Sequence, residues 1–474
     1  MWRRVREYAV PWSMIETATA RREVGDWAGA CAAARVDVDL DLRAVARLHG
    51  RDLAAAVRAD LRSLAPDLLR WHLPRVAPTG LLRPELTITL ARYDESGCAT
   101  TGGVRLVVRT APAWAAADQR IVLALRDESE PGRHPHRRYR LDLHRHLWDA
   151  RRAPELRSRS GAGPFAATRP VASAQPQRGD AEGSGRQGGF EVPLAASGAP
   201  AAAVGRSAQR VGPVQQGGGE AGCAVDRWAA EAEILRRADG HGGPFQVWLG
   251  ARNRLILDTD VGGLRIVTDY PSAEMRSLPV LPDAATWIPP DVELLAAGAV
   301  TADQLHPLVA TALEPGFAPG SAARGTEEYR DGIVDCRGER HRIGLVDGVL
   351  SALDHDPAEL RREEFLVALT GTPLPCLRAI DEAHRHPEWL SGVRERLAHG
   401  DVTGALGVVE RLLGPDAVLS DGPLRDSFEA VARQRVTYGF YRAGLRPPGH
   451  DQVPYAPRRP RSERRSRPWR TVRR

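Results

Sequence analysis

The chain has 474 residues, a mass of 51.6 kDa and a formal net charge of +6, and this length predicts about two to four domains. Hydrophobic residues at 42% and charged residues at 27% exclude a chain that is disordered throughout. No uncharged apolar stretch approaches the ~18–20 residues of a transmembrane helix, which excludes a membrane span of that kind.

The basic residues are unusual because all 66 are arginine, and Asn253 is the single asparagine. Arg, Ala, Gly and Pro have GC-rich codons, whereas Lys and Asn do not. The composition therefore predicts a high-GC genome, and we expect an actinobacterial origin.

Residues 1–80 are predicted to form a helical region. Apolar residues recur at helical spacing through most of 13–72, and Gly25 followed by Asp26 is typical of one helix ending and the next being capped. The strictly alternating run 36–42 predicts a short extended segment between the helices.

Residues 81–157 are predicted to form a small β region. Three runs rich in β-branched and aliphatic residues, at 86–90, 104–108 and 121–125, are separated by glycine and proline. The alternating run 139–143 is a fourth candidate strand. A small antiparallel sheet is the simplest interpretation.

Residues 158–224 are predicted to be a disordered linker. Of these 67 residues, 41 are Gly, Ala, Pro or Ser, and such a segment buries too little apolar surface to offset the entropy of ordering it. The alternative is a GC-rich coding segment translated out of frame, which would also explain why patterned sequence stops and restarts abruptly.

Residues 225–330 are predicted to form an α/β region, with a helix from Trp228, three short strands between 245 and 267, and helices after Asp291 and Thr301.

Residues 331–445 are predicted to form a β-meander followed by helical hairpins. The meander covers 333–353 and uses Asp347-Gly348 as a hairpin turn. Asp356 is predicted to cap the next helix, and Gly400-Asp401 is predicted to join the last helical pair. Together these predictions describe an α+β fold: helical N- and C-terminal regions with small antiparallel sheets and a disordered central segment.

Residues 446–474 are predicted to be a disordered Arg-rich tail. Within it, 458–474 carries nine arginines and Glu463, a net charge of +8, which leaves −2 for the rest of the chain. The charge of the body therefore does not support nucleic-acid binding there, whereas the tail is expected to contact polyanions, either nucleic acid or an anionic surface, by charge. The alternative is a solvated tail that binds no ligand. The predicted polyanion-binding residues are Arg458, Arg459, Arg461, Arg464, Arg465, Arg467, Arg470, Arg473, Arg474 and Trp469, whose indole can stack on bases.

The cysteines predict neither a disulfide framework nor a zinc site. They are odd in number, widely spaced and without any CxxC pair, and no cofactor or metal is expected. The first fourteen residues lack the apolar core of a secretory signal, so we expect a cytoplasmic location. The five positions are Cys31, Cys98, Cys223, Cys336 and Cys376.

Common catalytic motifs are absent from the sequence. Without lysine, the chain supplies neither a P-loop lysine nor a Schiff base, and HExxH, GxSxG and GxGxxG patterns are also missing. Catalytic residues are therefore unknown, and the sequence favours a protein that is not an enzyme.

Two clusters invite a metal interpretation. Asp37, Asp39 and Asp41 resemble the opening of an EF-hand loop, but leucines replace its glycine and its bidentate glutamate, which favours the acidic face of a strand.

Two H-x-H pairs form the second cluster. They lie among five arginines that would repel a cation, which favours a basic surface. These histidines are His134, His136, His144 and His146. His384-Arg385-His386, with Asp381 and Glu382 nearby, is interpreted as a solvated helix end.

Residues 333–414 resemble a segment of actinobacterial ankyrin-repeat proteins. The resemblance rests on the run 335–342, on Leu353-Asp354-His355 and on the Gly400-Asp401 hairpin, whose turn also occurs at Gly25-Asp26. It covers less than a fifth of the chain, and neither a T-P-L-H-x-A signature nor a repeat array accompanies it. The resemblance implies a binding scaffold and transfers no catalytic residue.

The sequence therefore predicts a non-enzymatic, cytoplasmic protein-interaction scaffold with a protein partner. One alternative is an enzyme of unrecognised type, with a site between the two α/β regions. The other alternative is a polyanion-binding protein that acts through its tail. A pocket with strongly shifted pKa values would favour the enzyme, and the residues expected there are Asp335, Glu339, His341 and His355.

Overall fold

The computed structural model shows an α+β fold. The chain divides into a first unit, Met1–Pro74, Thr87–Val108 and Leu123–Gly325, and a second unit, Arg75–Leu86, Arg109–Val122 and Thr326–Arg474. The residues that the structure describes are 1–93, 103–116, 118–127, 134–161, 208–210, 222–250, 253–260, 263–271, 273–317, 333–336, 339–346, 349–352, 354–356, 358–359, 361–362, 365, 367, 374–378, 388–413 and 423–445.

The first unit begins with the predicted helices. Its elements are α1 (Trp12–Glu23), α2 (Trp27–Ala33), β1 (Val36–Asp39), α3 (Leu42–Leu48), α4 (Arg51–Ser63) and α5 (Pro66–His72). Helix α4 buries Leu53, Val57 and Leu61, whose spacing of four residues places them on one face. Fully burying a side chain of this size stabilises the fold by about 1.5–3 kcal/mol.

A four-stranded sheet follows, made of β1, β2 (Thr87–Tyr93), β3 (Val104–Thr110) and β4 (Ile121–Asp127) in the order β1-β4-β3-β2. The three predicted strands are confirmed. The fourth prediction is wrong, because 139–143 forms no strand. Arg140 makes only an isolated bridge to Thr89 of β2, and the fourth strand is β1, at the opposite edge of the sheet.

The rest of the first unit contains a second four-stranded sheet covered by a helix. The helix is α6 (Trp228–Asp239), and the strands are β5 (Ala208–Arg210), β6 (Phe245–Trp248), β7 (Arg254–Asp260) and β8 (Gly263–Val267), antiparallel in the order β5-β8-β7-β6. Trp228, Phe245 and Leu257 belong to the shared core. Helices α7 (Pro290–Ala296) and α8 (Pro307–Leu313) follow.

The second unit contains the predicted meander and three helices. Strands β9 (Ile333–Cys336), β10 (Glu339–Val346) and β11 (Val349–Ala352) form an antiparallel sheet in that order. Helices α9 (Glu388–Ala398), α10 (Val402–Leu413) and α11 (Pro423–Arg442) share a core that includes Val393, Ala405 and Val431. A two-stranded ribbon, Arg75–Val76 with Leu81–Leu82, also belongs to this unit.

The linker and tail predictions fall mostly on parts of the chain that the structure does not describe. Ala208–Arg210, inside the predicted linker, forms the edge strand β5, while 162–207 and 211–221 lie outside the described residues. All of the predicted polyanion-binding residues, at 458–474, also lie outside them.

Candidate metal centre

Four metal-ligating side chains converge in the second unit. Cys336, His341, His355 and Cys376 each offer one donor atom, and these atoms lie within 4.8 Å of one another. Among the described residues, no other set of three or more His, Cys, Asp or Glu side chains converges in this way.

The meander brings the first two donors to one face of its sheet. Cys336 is the last residue of β9 and pairs with Glu339 of β10, while Val334 pairs with His341. Because paired residues share a face and side chains alternate along a strand, Cys336 and His341 both lie on that face.

The other two donors come from the segments that follow the meander. His355 lies three residues beyond β11, immediately before Asp356, whose carboxylate accepts a hydrogen bond from the backbone N–H of Ala358 at 2.9 Å. Cys376 lies in the helical residues 375–378 and packs with Cys336 and Leu374 in a small hydrophobic cluster. Four separate segments therefore meet at this point.

The two imidazoles are in direct contact. His341 Nδ1 lies 2.7 Å from His355 Nε2, so one nitrogen donates a hydrogen bond to the other. Cys376 Sγ lies 4.0 Å from the same Nδ1. On the other side of its ring, His355 Nδ1 lies 3.7 Å from a carboxylate oxygen of Glu359.

The centre is buried at its sulfur atoms and more open at one histidine. Cys336 and Cys376 are fully buried, the His355 side chain is 4% exposed, and His341 is partly buried. Burial, with a further contribution from Cys336, raises the pKa of the Cys376 thiol to about 12. A bound cation acts in the opposite direction, because it stabilises the thiolate.

Two thiols and two imidazoles form a complete set of ligands for a tetrahedral transition-metal ion. Structural zinc sites use four protein ligands of this kind, whereas catalytic sites keep one position for water or substrate. None of the four cysteines that the structure describes forms a disulfide. The arrangement is thus suited to holding an ion and joining chain segments.

The sequence predicted no metal site here, because the cysteines lack CxxC spacing. Of the four residues expected to gather in an enzyme pocket, the structure brings His341 and His355 together, but with the two cysteines as neighbours. Asp335 pairs with Arg340 on the opposite face of the β9–β10 hairpin, and Glu339 is exposed.

The other predicted clusters have structural roles in the described part of the chain. Asp37 and Asp39 lie on β1, and Asp41 caps α3 by accepting a hydrogen bond from the Arg43 N–H at 2.8 Å.

The four histidines of the H-x-H pairs do not gather. His134 is exposed, His136 packs on Tyr139, and His144 and His146 are buried instead of forming a basic surface. The residues 381–387, with Asp381, Glu382, His384 and His386, lie outside the described residues.

Three tryptophans of the first unit differ in burial. Trp71 and Trp148 are fully buried, as a core position requires, and Trp27 is partly buried.

Comparisons with known proteins give no relative: no protein-family model, curated protein or solved structure matches this chain. Within the described residues, no helix is both long and apolar enough to cross a membrane.

Proposed function

We propose that this chain is a non-enzymatic protein-interaction scaffold whose second unit is held together by a bound transition-metal ion. The observation that carries the proposal is the convergence of Cys336, His341, His355 and Cys376 within 4.8 Å. Because the protein supplies all four ligands, no position remains for a substrate, and a structural role follows.

A turn that occurs in both units supports the scaffold part of the proposal. Gly25 and Gly400 have φ values of +78° and +79°, a conformation that glycine adopts without strain. The aspartate after each glycine caps the next helix by accepting a hydrogen bond from a glycine N–H three residues on, at 2.8 Å for Asp26 and 3.2 Å for Asp401.

An arginine on the preceding helix completes each turn. Arg21 lies 3.2 Å from Asp26, and Arg396 lies 3.0 Å from Asp401. Such helical hairpins are the units of repeat scaffolds, in line with the resemblance to actinobacterial ankyrin-repeat proteins. The proposal places the protein in the cytoplasm with a protein partner.

Metal content tests the first part of the proposal. The full-length chain, purified without chelators and under reducing conditions, is expected to carry one equivalent of a transition metal by elemental analysis. C336S and C376S should each lose it, whereas C223S, in the first unit, should retain it. Failure of the wild-type chain to bind any transition metal, even when it is supplied, would overturn the proposal.

Partner capture tests the scaffold part. Leu406 on α10 and Val436 on α11 are 40% and 59% exposed and are available for a partner. L406D and V436D are expected to abolish capture of a defined partner that the wild-type chain retains from host extract. V24D, at an exposed position of the first unit, is the matched control. Equal loss of capture with V24D would contradict a role of Leu406 and Val436 in partner binding.

A further inference from the structure

The donor set of the proposed centre restricts the class of ion. Thiolates favour soft or borderline metals, and imidazoles suit zinc, copper, iron and nickel, whereas magnesium and calcium require oxygen ligands. Cys336, His341, His355 and Cys376 supply two sulfur and two nitrogen atoms. The set therefore excludes the alkaline-earth ions.

The charge of the ligand set further restricts which ion can bind. Two thiolates contribute −2 and two neutral imidazoles contribute nothing, so a divalent ion makes the whole centre neutral. A monovalent ion would leave −1 and a trivalent ion +1 beside Cys336 and Cys376, which are fully buried. An unpaired buried charge is costly, so the surroundings favour a divalent ion, and zinc prefers four such ligands in tetrahedral geometry.

A carboxylate outside the ligand set lies beside one imidazole. Glu359 lies four residues after His355, and its Oε2 is 3.7 Å from His355 Nδ1. This distance is longer than a hydrogen bond, and the carboxylate faces Nδ1 while Nε2, on the other side of the ring, lies against His341. Outer carboxylates of this kind fix the tautomer of ligating histidines and increase their basicity.

We propose that the ion is Zn²⁺, held by Cys336, His341, His355 and Cys376, and that Glu359 is the positioning residue that orients His355 towards it. The inference rests on the proposed function, because the same four residues are the ligands.

Comparison of ions tests the identity of the metal. The full-length apoprotein, kept reduced, is titrated by calorimetry with Zn²⁺, Fe²⁺, Co²⁺ and Ni²⁺ in separate experiments. The expected result is one Zn²⁺ bound per chain, more tightly than any of the other three ions. Tighter binding of Fe²⁺, Co²⁺ or Ni²⁺ than of Zn²⁺ would overturn this inference while leaving the proposed metal-held scaffold intact. Failure to bind any of these ions would instead overturn the proposed function.

A matched pair of variants tests Glu359. E359A is expected to weaken Zn²⁺ binding about 10–100-fold and to shift the d–d bands of the Co²⁺-substituted protein. E359Q, which keeps an acceptor oxygen, should restore most of the affinity and the spectrum. The control is E395A, because Glu395 on α9 also lies four residues from a buried histidine, with its Oε2 3.8 Å from His399 Nε2. Wild-type affinity and spectrum in E359A, or equal weakening in E395A, would contradict the role assigned to Glu359.

Discussion

Buried histidines of the first unit contact carboxylates directly, and one of these contacts changes the pKa of the carboxylate. One tautomer of His306 satisfies two contacts, because Nδ1 accepts from the Leu308 N–H at 3.2 Å and Nε2 donates to Asp67 at 3.0 Å. His144 faces Glu231 at 3.2 Å. Burial alone would raise the pKa of Glu231, but hydrogen bonds from His144 and Arg159 lower it to about 2.

His72 is compensated less completely and is expected to make the fold sensitive to acid. Burial, assisted by the positive charge of Arg6, lowers the pKa of His72 to about 4, although Asp291 acts to raise it. The unfolded chain, with an ordinary histidine pKa of about 6.5, therefore binds more protons than the folded chain between these values. Stability is complete above pH 6.5 and decreases as the pH falls towards 4, by about 3 kcal/mol from this group.

Urea unfolding measured from pH 4.5 to pH 7.5 checks this expectation. H72Q should show a smaller loss of unfolding free energy at low pH than the wild-type chain. The control is H241Q, which alters an exposed histidine and should leave the pH dependence unchanged. A wild-type slope in H72Q would mean that another buried group causes the acid sensitivity.

At the scale of elements, the Gly-Asp turn sets a requirement for a second glycine. A Cβ atom at Gly404 would lie 2.1 Å from an Asp401 carboxylate oxygen, whereas a Cβ at Gly407 would meet nothing within 4 Å. Both glycines lie on α10. The same substitution is therefore expected to have opposite effects at two positions of one helix.

G404A is expected to destabilise the second unit by about 1 kcal/mol or more, because Asp401 must move and lose its cap and its ion pair with Arg396. G407A should stabilise the helix by roughly 0.5–1 kcal/mol, since alanine loses less backbone entropy than glycine. Chemical denaturation of both variants gives the comparison. Equal effects of the two substitutions would show that the capping geometry is not required.

The sequence predicts elements well where the signals are local. The three meander strands agree with prediction, because short runs separated by glycine-containing turn signals predict hairpins without help from distant residues. The predicted turn Asp347-Gly348 itself lies outside the described residues. The strand predicted at 139–143 was wrong, because packing, not propensity, decides which alternating runs join a sheet: 36–39 joins the first sheet as β1, and 139–143 does not. The metal centre was missed because its donors come from four segments, although the predicted β9–β10 pairing already places Cys336 and His341 on one face.

At the scale of the whole molecule, the net positive charge comes from one terminal segment, 458–474, because the rest of the chain carries −2. Removal of 458–474 should change the net charge from +6 to −2 and abolish retention on heparin or DNA at low salt, since such binding depends on counterion release. Thermal unfolding of the truncated chain should match that of the full chain. Undiminished retention would place the basic ligand site elsewhere.

Metal removal should affect the two units unequally, because all four donors belong to the second unit. An ion bound only by the folded state stabilises it by about 2.7 kcal/mol when its free concentration is 100-fold above Kd. Hydrogen exchange of the full chain, with and without a chelator, is therefore expected to show faster exchange in β9, β10 and β11. The amides of α6 and β6, which surround the Trp228 and Phe245 core of the first unit, should exchange at unchanged rates.

The C336S variant is the control for the chelator. Its exchange should match that of the chelated wild type and show no further response to chelator. Faster exchange throughout both units would mean that the ion acts on the whole molecule, and unchanged exchange in the meander would mean that it is not structural.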